Sequence, residues 1–149
     1  MLKGLSPHLS ADLLWVLKSM GHGEYLLICD ANHPAGTVAK TTVSGRIVEA
    51  PELSLQQAVA AVLSVFPLDT FVEAPVTRME VVGDPGKVLP MFDEVHKLCE
   101  QSEARPIRMA TLERFAFYAA AGKAFAVLRT GEFRPYGCFL LKKGVIIAS

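Results

Sequence analysis

The run Tyr25-Leu26-Leu27-Ile28-Cys29, set between Gly23 and the polar stretch Asp30-Ala31-Asn32-His33-Pro34, decides the fold. A strand with one face in water alternates apolar and polar residues, because successive side chains point to opposite sides. This run does not alternate. A strand apolar on both faces belongs in the middle of a covered sheet, the usual setting of parallel strands. Upstream, Ser10 reads as an N-cap with Asp12 in the first turn, and Leu13, Leu14, Leu17 and Met20 share one helical face. Gly21 is expected to stop that helix in the left-handed conformation. Downstream, the β-branched stretch Thr37 to Val43 reads as a second strand. Ser54 starts a helix through Leu55, Val59, Val62, Leu63 and Phe66, which Pro67 ends.

Val76 to Val82 then reads as a strand, Gly83-Asp84-Pro85-Gly86 as a turn, and Val88 to Glu103 as a helix with Pro90 near its first turn. Ile107 to Ala110 reads as a short strand. Thr111 is expected to cap a helix running to Ala121, with Gly122 as the stop. Ala124 to Leu128 and Cys138 to Leu141 complete the strands. Strands alternating with helices imply one α/β domain over residues 1–149, in three layers about a largely parallel sheet.

Composition narrows the function classes. The chain has 149 residues, 51% hydrophobic and 20% charged, which is the make-up of a folded domain with a core. Fifteen basic residues balance fifteen acidic ones, and Lys142-Lys143 is the only adjacent basic pair, so nothing favours nucleic acid. No apolar run reaches the length of a membrane-spanning helix. The opening Met1-Leu2-Lys3-Gly4-Leu5-Ser6-Pro7 lacks the apolar stretch of a signal peptide, and a cytoplasmic location is the expectation. A small chain this apolar is expected to bury surface between subunits, as a homo-oligomer. Cys29, Cys99 and Cys138 are odd in number and without CxxC spacing, which suits reduced thiols rather than a disulfide framework or zinc knuckle.

Three segments offer chemistry. His22, flanked by Gly21 and Gly23, is an imidazole to which a ligand can come close, and imidazole exchanges protons at about pH 6.5. A hydrogen-bonded turn histidine is the competing reading. Asp30 stands at the far end of the first strand, where open α/β sheets place ligands, or else it caps its own loop. Five extended residues separate the two groups by roughly 17 Å within one subunit. A site shared between two subunits would remove that difficulty. Arg114 and Tyr118, four residues apart, share a helix face and offer donors and a flat ring to a sugar, although a surface arginine beside a core Phe115 is the plainer reading. Tyr136, before Gly137 and Cys138 at a strand entrance, presents a hydroxyl to a cleft or packs on Pro135. His22, Asp30 and His33 are conceivable metal ligands, but no His pair or compact Cys/His cluster has metal spacing, so no metal is expected. Without a phosphate loop or a nucleophile elbow, proton transfer or plain binding is the expected chemistry, with no cofactor.

Taken together and in order, Met20-Gly21-His22-Gly23, Asp30-Ala31-Asn32-His33-Pro34, Pro67-Leu68-Asp69-Thr70-Phe71, Glu113-Arg114-Phe115-Ala116-Phe117-Tyr118, Lys123-Ala124-Phe125-Ala126-Val127, Arg129-Thr130-Gly131-Glu132 and Tyr136-Gly137 resemble the sugar mutarotase family that contains L-fucose mutarotase and D-ribose pyranase. Arg114 to Tyr118 and Lys142 to Val145 look like the fucose branch; Arg129 to Glu132 with Pro135-Tyr136 also resembles the ribose branch. The resemblance implies an isomerase of carbohydrate metabolism that interconverts the anomers of a monosaccharide, L-fucose above D-ribose. It implies His22 as the acid/base residue and Asp30, Arg114, Tyr118, Tyr136, Gly137 and Cys138 as sugar contacts. It also implies a ring-like homo-oligomer, a decamer, with sites between neighbours. A sugar-binding module associated with transport is the alternative. The chain departs from the family pattern at Glu24-Tyr25, at His33 in place of Phe, and at Cys138 in place of Asn.

Overall fold

The computed structural model describes residues 1–148. The elements run α1 (Ala11–Ser19), β1 (Tyr25–Cys29), α2 (Ala35–Ala39), β2 (Ile47–Ala50), α3 (Leu55–Leu63), β3 (Val76–Met79), α4 (Pro90–Glu103), β4 (Met109–Leu112), α5 (Arg114–Ala121), β5 (Ala126–Thr130) and β6 (Phe139–Lys142). The strands form one six-stranded sheet in the order β2-β5-β1-β6-β3-β4. β1 lies inside it, parallel to β5 and antiparallel to β6. The pairs β2–β5 and β3–β4 are also parallel, so β6 alone runs against the others among the described residues.

The unalternating apolar run in β1 has the expected consequence. Leu26 and Ile28 enter one core, with α1, α3 and α4; Leu27 and Cys29 enter the other, with α2 and α5. Helices on both faces make the three layers, and Leu26 to Cys29 are fully buried. Two of the three helix starts read from sequence are present. The Ser10 hydroxyl accepts from the Leu13 N–H at 3.1 Å, and Ser54 forms a reciprocal capping box with Gln57. Pro90 occupies the first turn of α4.

Several expectations need correction. Thr37 to Val43 is not a strand. Pro34 opens the short helix α2, whose Ala35, Val38 and Ala39 fall on one face and pack beneath the sheet. The edge strand is instead β2, paired on β5 and not anticipated. Residues Glu80 to Val82 leave the strand after Met79. The strand expected at 107–110 runs from Met109 to Leu112, two residues later. Glu113 rather than Thr111 caps α5, its carboxylate accepting from the N–H groups of Phe115 at 2.9 Å and Ala116 at 3.2 Å. Helix α1 ends at Met20 in extended backbone, and the left-handed residue of that loop is Gly23 at φ 84°, not Gly21. No helix of the described residues is long and apolar enough to cross a membrane.

Candidate functional site

β1 carries one chemical group at each of its ends. At its C-terminal end Asp30 is 3% exposed and surrounded by donors. Its Oδ1 accepts the N–H groups of Asn32 and His33, both at 2.9 Å, and its Oδ2 accepts the Gly137 N–H at 3.0 Å. The Cys138 thiol stands 3.5 Å from the same Oδ2. One carboxylate thus ties the loop after β1 to the entrance of β6. Gly137 permits this approach, because a Cβ there would lie 3.2 Å from Asp30 Cβ and 3.2 Å from Glu132 Cγ.

A cleft of about 230 Å³ opens over this junction, walled by Asp30, His33, Arg114, Tyr118, Tyr136 and Cys138 and edged by Asn32, Met79, Val82 and Pro135. Arg114 and Tyr118 reach it because they stand one turn apart on α5. Tyr136 sits in the left-handed region at φ 69°, unusual for a bulky residue, and its hydroxyl accepts from the Val82 N–H at 3.1 Å. Backbone strain held this way accompanies functional sites. The loop before it is clamped by Arg134, which donates to Glu132 at 2.9 Å through Nε and again through Nη2, and to Glu94 at 3.1 Å. Those hydrogen bonds hold the Glu132 carboxyl below its ordinary range and raise the Arg134 guanidinium.

His33 belongs to this cleft. Its Nδ1 lies 3.5 Å from Cys138 Sγ, and its ring meets the Tyr118 ring edge-on at 5.4 Å. Burial pushes its imidazole below the usual histidine range, against an opposing pull from Asp30. His33 Nε2 and Arg114 Nε are buried without a hydrogen-bond partner. Arg105 Nε, away from the cleft, lacks a partner as well, but the first two stand at the cleft wall, where a polar ligand would pair them. Burial and the neighbouring Asp30 carboxylate push the Cys138 thiol well up, which keeps it protonated. Sequence reasoning weighed His33 only as a metal ligand and as a departure from a family pattern. Its position three residues after Asp30 was the available signal.

At the N-terminal end of β1, His22 does not meet Asp30. Its Nε2 lies 3.1 Å from Asp69 Oδ1, and its ring packs edge-on to Phe71 at 5.3 Å. Asp69 is 1% exposed, while the His22 side chain is 44% exposed. Lys142 Nζ stands 3.8 Å from Asp69 Oδ2. Burial alone would raise the Asp69 carboxyl. Hydrogen bonds from Phe71 N–H and His22, with the Lys142 charge, outweigh it and hold the carboxyl below its ordinary value. Sequence reasoning assigned Asp69 no role. Because His22 lies away from Asp30 and His33, these three cannot share one metal within a subunit; among the described residues no group of three or more His, Cys, Asp or Glu could hold a metal ion.

The structure therefore gathers Asp30, Arg114, Tyr118, Tyr136, Gly137 and Cys138 at one end of β1 and leaves His22, with Asp69, at the other. Known proteins are similar to the chain in sequence and in fold. The chain is 40% identical over 148 residues to fucose mutarotase of Danio rerio, covering 97% of this chain and 94% of that one. It superposes on FucU from Bifidobacterium longum with a TM-score of 0.89 at 36% identity, over 97% of this chain and all of that one. With the fucose mutarotase of Streptococcus pneumoniae, solved in complex with L-fucose, the TM-score is 0.87 at 28% identity, over 98% of this chain and all of that one. Residues 3–146 match the RbsD / FucU transport protein family, and the chain belongs to it.

Proposed function

We propose that the protein is an isomerase that interconverts the α and β anomers of L-fucose, with His22 of one subunit serving the Asp30 cleft of its neighbour. Support comes first from a cleft whose polar groups suit an uncharged polyol. His33 is kept neutral by burial, the tyrosine hydroxyls and the Arg114 fork offer hydrogen bonds, and nothing in it resembles a phosphate cradle. The similarity to fucose mutarotases over nearly the whole chain chooses the sugar.

Mutarotation moves two protons and breaks one bond. The anomeric hydroxyl gives up its proton to water at the open cleft as the bond between C1 and the ring oxygen breaks. The ring oxygen takes up a proton from an acid. The open aldehyde turns over, and closure reverses both transfers. Imidazole gives and takes protons near neutral pH, which suits His22 as the acid. Asp30 is the carboxylate on the cleft side. Four donors already face it, so its task is to hold the cleft together and bind a hydroxyl. Arg114, Tyr118, Tyr136, the Gly137 backbone and Cys138 fix the sugar. No cofactor enters this chemistry.

A shared site answers the separation along β1, and exposed apolar residues mark surfaces for a neighbour to cover. Phe71 is 67% exposed beside His22; Phe115 and Phe133, next to cleft residues, are 64% and 80% exposed. We place this contact in a ring-like homo-oligomer, a decamer, as the family resemblance implies. Three unpaired thiols suit a reducing compartment, and the cytoplasm is the location we propose.

The test is saturation-transfer NMR on the anomeric signals of L-fucose and D-ribose in one tube. Transfer between the fucose anomers faster than in buffer, and greater than for ribose, is expected. Acceleration confined to ribose signals would assign a pyranase. Binding without acceleration would assign a sugar-binding module.

A further inference from the structure

At the wall of the Asp30 cleft, the contacts of His33 and Cys138 decide where their hydrogens go. Cys138 is 2% exposed and His33 5%. The Cys138 sulfur stands 3.5 Å from Asp30 Oδ2 and 3.5 Å from His33 Nδ1. The thiol has one hydrogen to give, since burial and the Asp30 charge keep it protonated. The imidazole also has one, since burial keeps the ring neutral. A hydrogen bond to a carboxylate oxygen is the stronger of the two open to the thiol. The S–H therefore donates to Asp30 Oδ2, which also accepts the Gly137 N–H at 3.0 Å. The sulfur is left as an acceptor. Nδ1 meets it as a donor, so Nδ1 carries the ring hydrogen and Nε2 carries a lone pair.

That lone pair is buried and has no donor among the described residues. The ring itself is held in place, by its own backbone N–H on Asp30 Oδ1 at 2.9 Å and by the Tyr118 ring edge-on at 5.4 Å. Arg114 Nε, the other unpaired atom of this wall, is a donor, and the two do not bond to each other. One wall therefore lacks a donor at one atom and an acceptor at another. Hydroxyls meet both needs, because each donates and accepts; a carboxylate or a phosphate only accepts. We infer that His33 is a specificity-determining residue: held in the Nδ1–H tautomer by Cys138, it accepts the hydrogen of a sugar hydroxyl through Nε2. This rests on the reading of the cleft as a sugar site. A buried acceptor of this kind selects for a hydroxyl at one place on the sugar and against an analogue that lacks it.

The test combines two readouts on the intact protein. Two-bond ¹H–¹⁵N correlation spectra of histidine-labelled protein, with His33→Phe to assign the His33 signals, report the tautomer with and without L-fucose. Titration calorimetry reports affinity for L-fucose and its monodeoxy analogues. Free wild-type protein is expected to show the Nδ1–H pattern at His33, and saturating L-fucose should shift the Nε2 resonance while Nδ1 keeps its hydrogen. His33→Phe keeps a flat ring and removes the acceptor, so L-fucose should bind it about fivefold more weakly. One monodeoxy analogue should bind wild type about fivefold more weakly than L-fucose and bind His33→Phe as well as L-fucose does. An Nε2–H tautomer in the wild type overturns the inference, as does an Nε2 resonance unmoved by bound L-fucose, even if His33→Phe fails to fold. Undiminished affinity in a folded His33→Phe overturns it too. Failure of the functional reading looks different: wild type would neither bind L-fucose nor accelerate its anomer exchange, and the tautomer would still decide the hydrogen-bond order at His33.

Discussion

Asp30 shows how much a single buried carboxylate organises. Its oxygens take three backbone N–H groups and face one thiol, from the loop after β1 and from the entrance of β6. The absence of a side chain at residue 137 leaves room for this close approach. Gly137→Ala would push a methyl group into Asp30 Cβ and Glu132 Cγ, each at 3.2 Å. It is expected to weaken fucose binding about tenfold or more, seen by titration calorimetry, with a melting temperature lowered by a few degrees, consistent with a local overpacking cost of about 1 kcal/mol. At this scale the sequence was informative about residue types and poor about partners. Loop and helix position make Asp30, Arg114, Tyr118 and Tyr136 candidates, each with a plain structural reading beside it, and the family resemblance alone implies them as one set of sugar contacts. His33 is harder to read, since a histidine before proline carries no periodic signal. Asp69 carries no local signal, because its partner lies 47 residues away in the chain and is joined to it only by the fold.

Elements were legible where local chemistry and tertiary demand agree. The central strand β1 was plain from its apolar run, and α1 and α3 from their caps and faces. The stretch Thr37 to Val43 misled because β-branched residues favour strands only when a sheet edge is there to receive them. Here Pro34 and the small residues of α2 fit beneath β5, and the edge position goes to Ile47–Ala50. Glu113 displaced Thr111 as the cap of α5 because β4 holds residues 109–112 in the sheet. The capping box of α3 gives a clean element-scale prediction. Ser54→Ala removes one acceptor at the helix start and should cost about 1 kcal/mol in urea denaturation. Anomer exchange per folded molecule should be unchanged, since Ser54 is not among the residues that line the cleft. A loss of exchange would mean that α3 couples to the cleft.

At the scale of the molecule, the folded state resists protonation at three buried points. His33 is held below its ordinary 6.5 by burial, so the unfolded chain takes up a proton there first, and stability falls as pH drops below about 6.5. Asp69 and Glu132 are held below 3.8 and 4.5 by their hydrogen-bond partners, so their contributions are present above those values and are lost as pH falls through the lower folded-state values. Denaturant midpoints measured from pH 8 to pH 3 should decline in two stages, and His33→Phe should remove the first. A flat midpoint between pH 7 and pH 5 in the wild type would contradict this. Assembly makes a second prediction. If His22 serves a neighbour's cleft, then His22→Ala and Asp30→Asn, each inactive alone, should regain about a quarter of wild-type exchange after unfolding and refolding as an equal mixture, from random pairing across shared interfaces. No recovery in a mixture shown to co-assemble would place both groups in one subunit's site.

The most direct measurement remains saturation transfer between the α and β anomeric signals of L-fucose, run with wild type and His22→Ala at equal concentration. The wild type should accelerate exchange well above buffer, and His22→Ala should lose it by about 10²–10⁴-fold or fall to the buffer rate, with its fold and its apparent mass in light scattering unchanged. Undiminished exchange in His22→Ala would contradict the acid/base role of His22 and with it the account of the site.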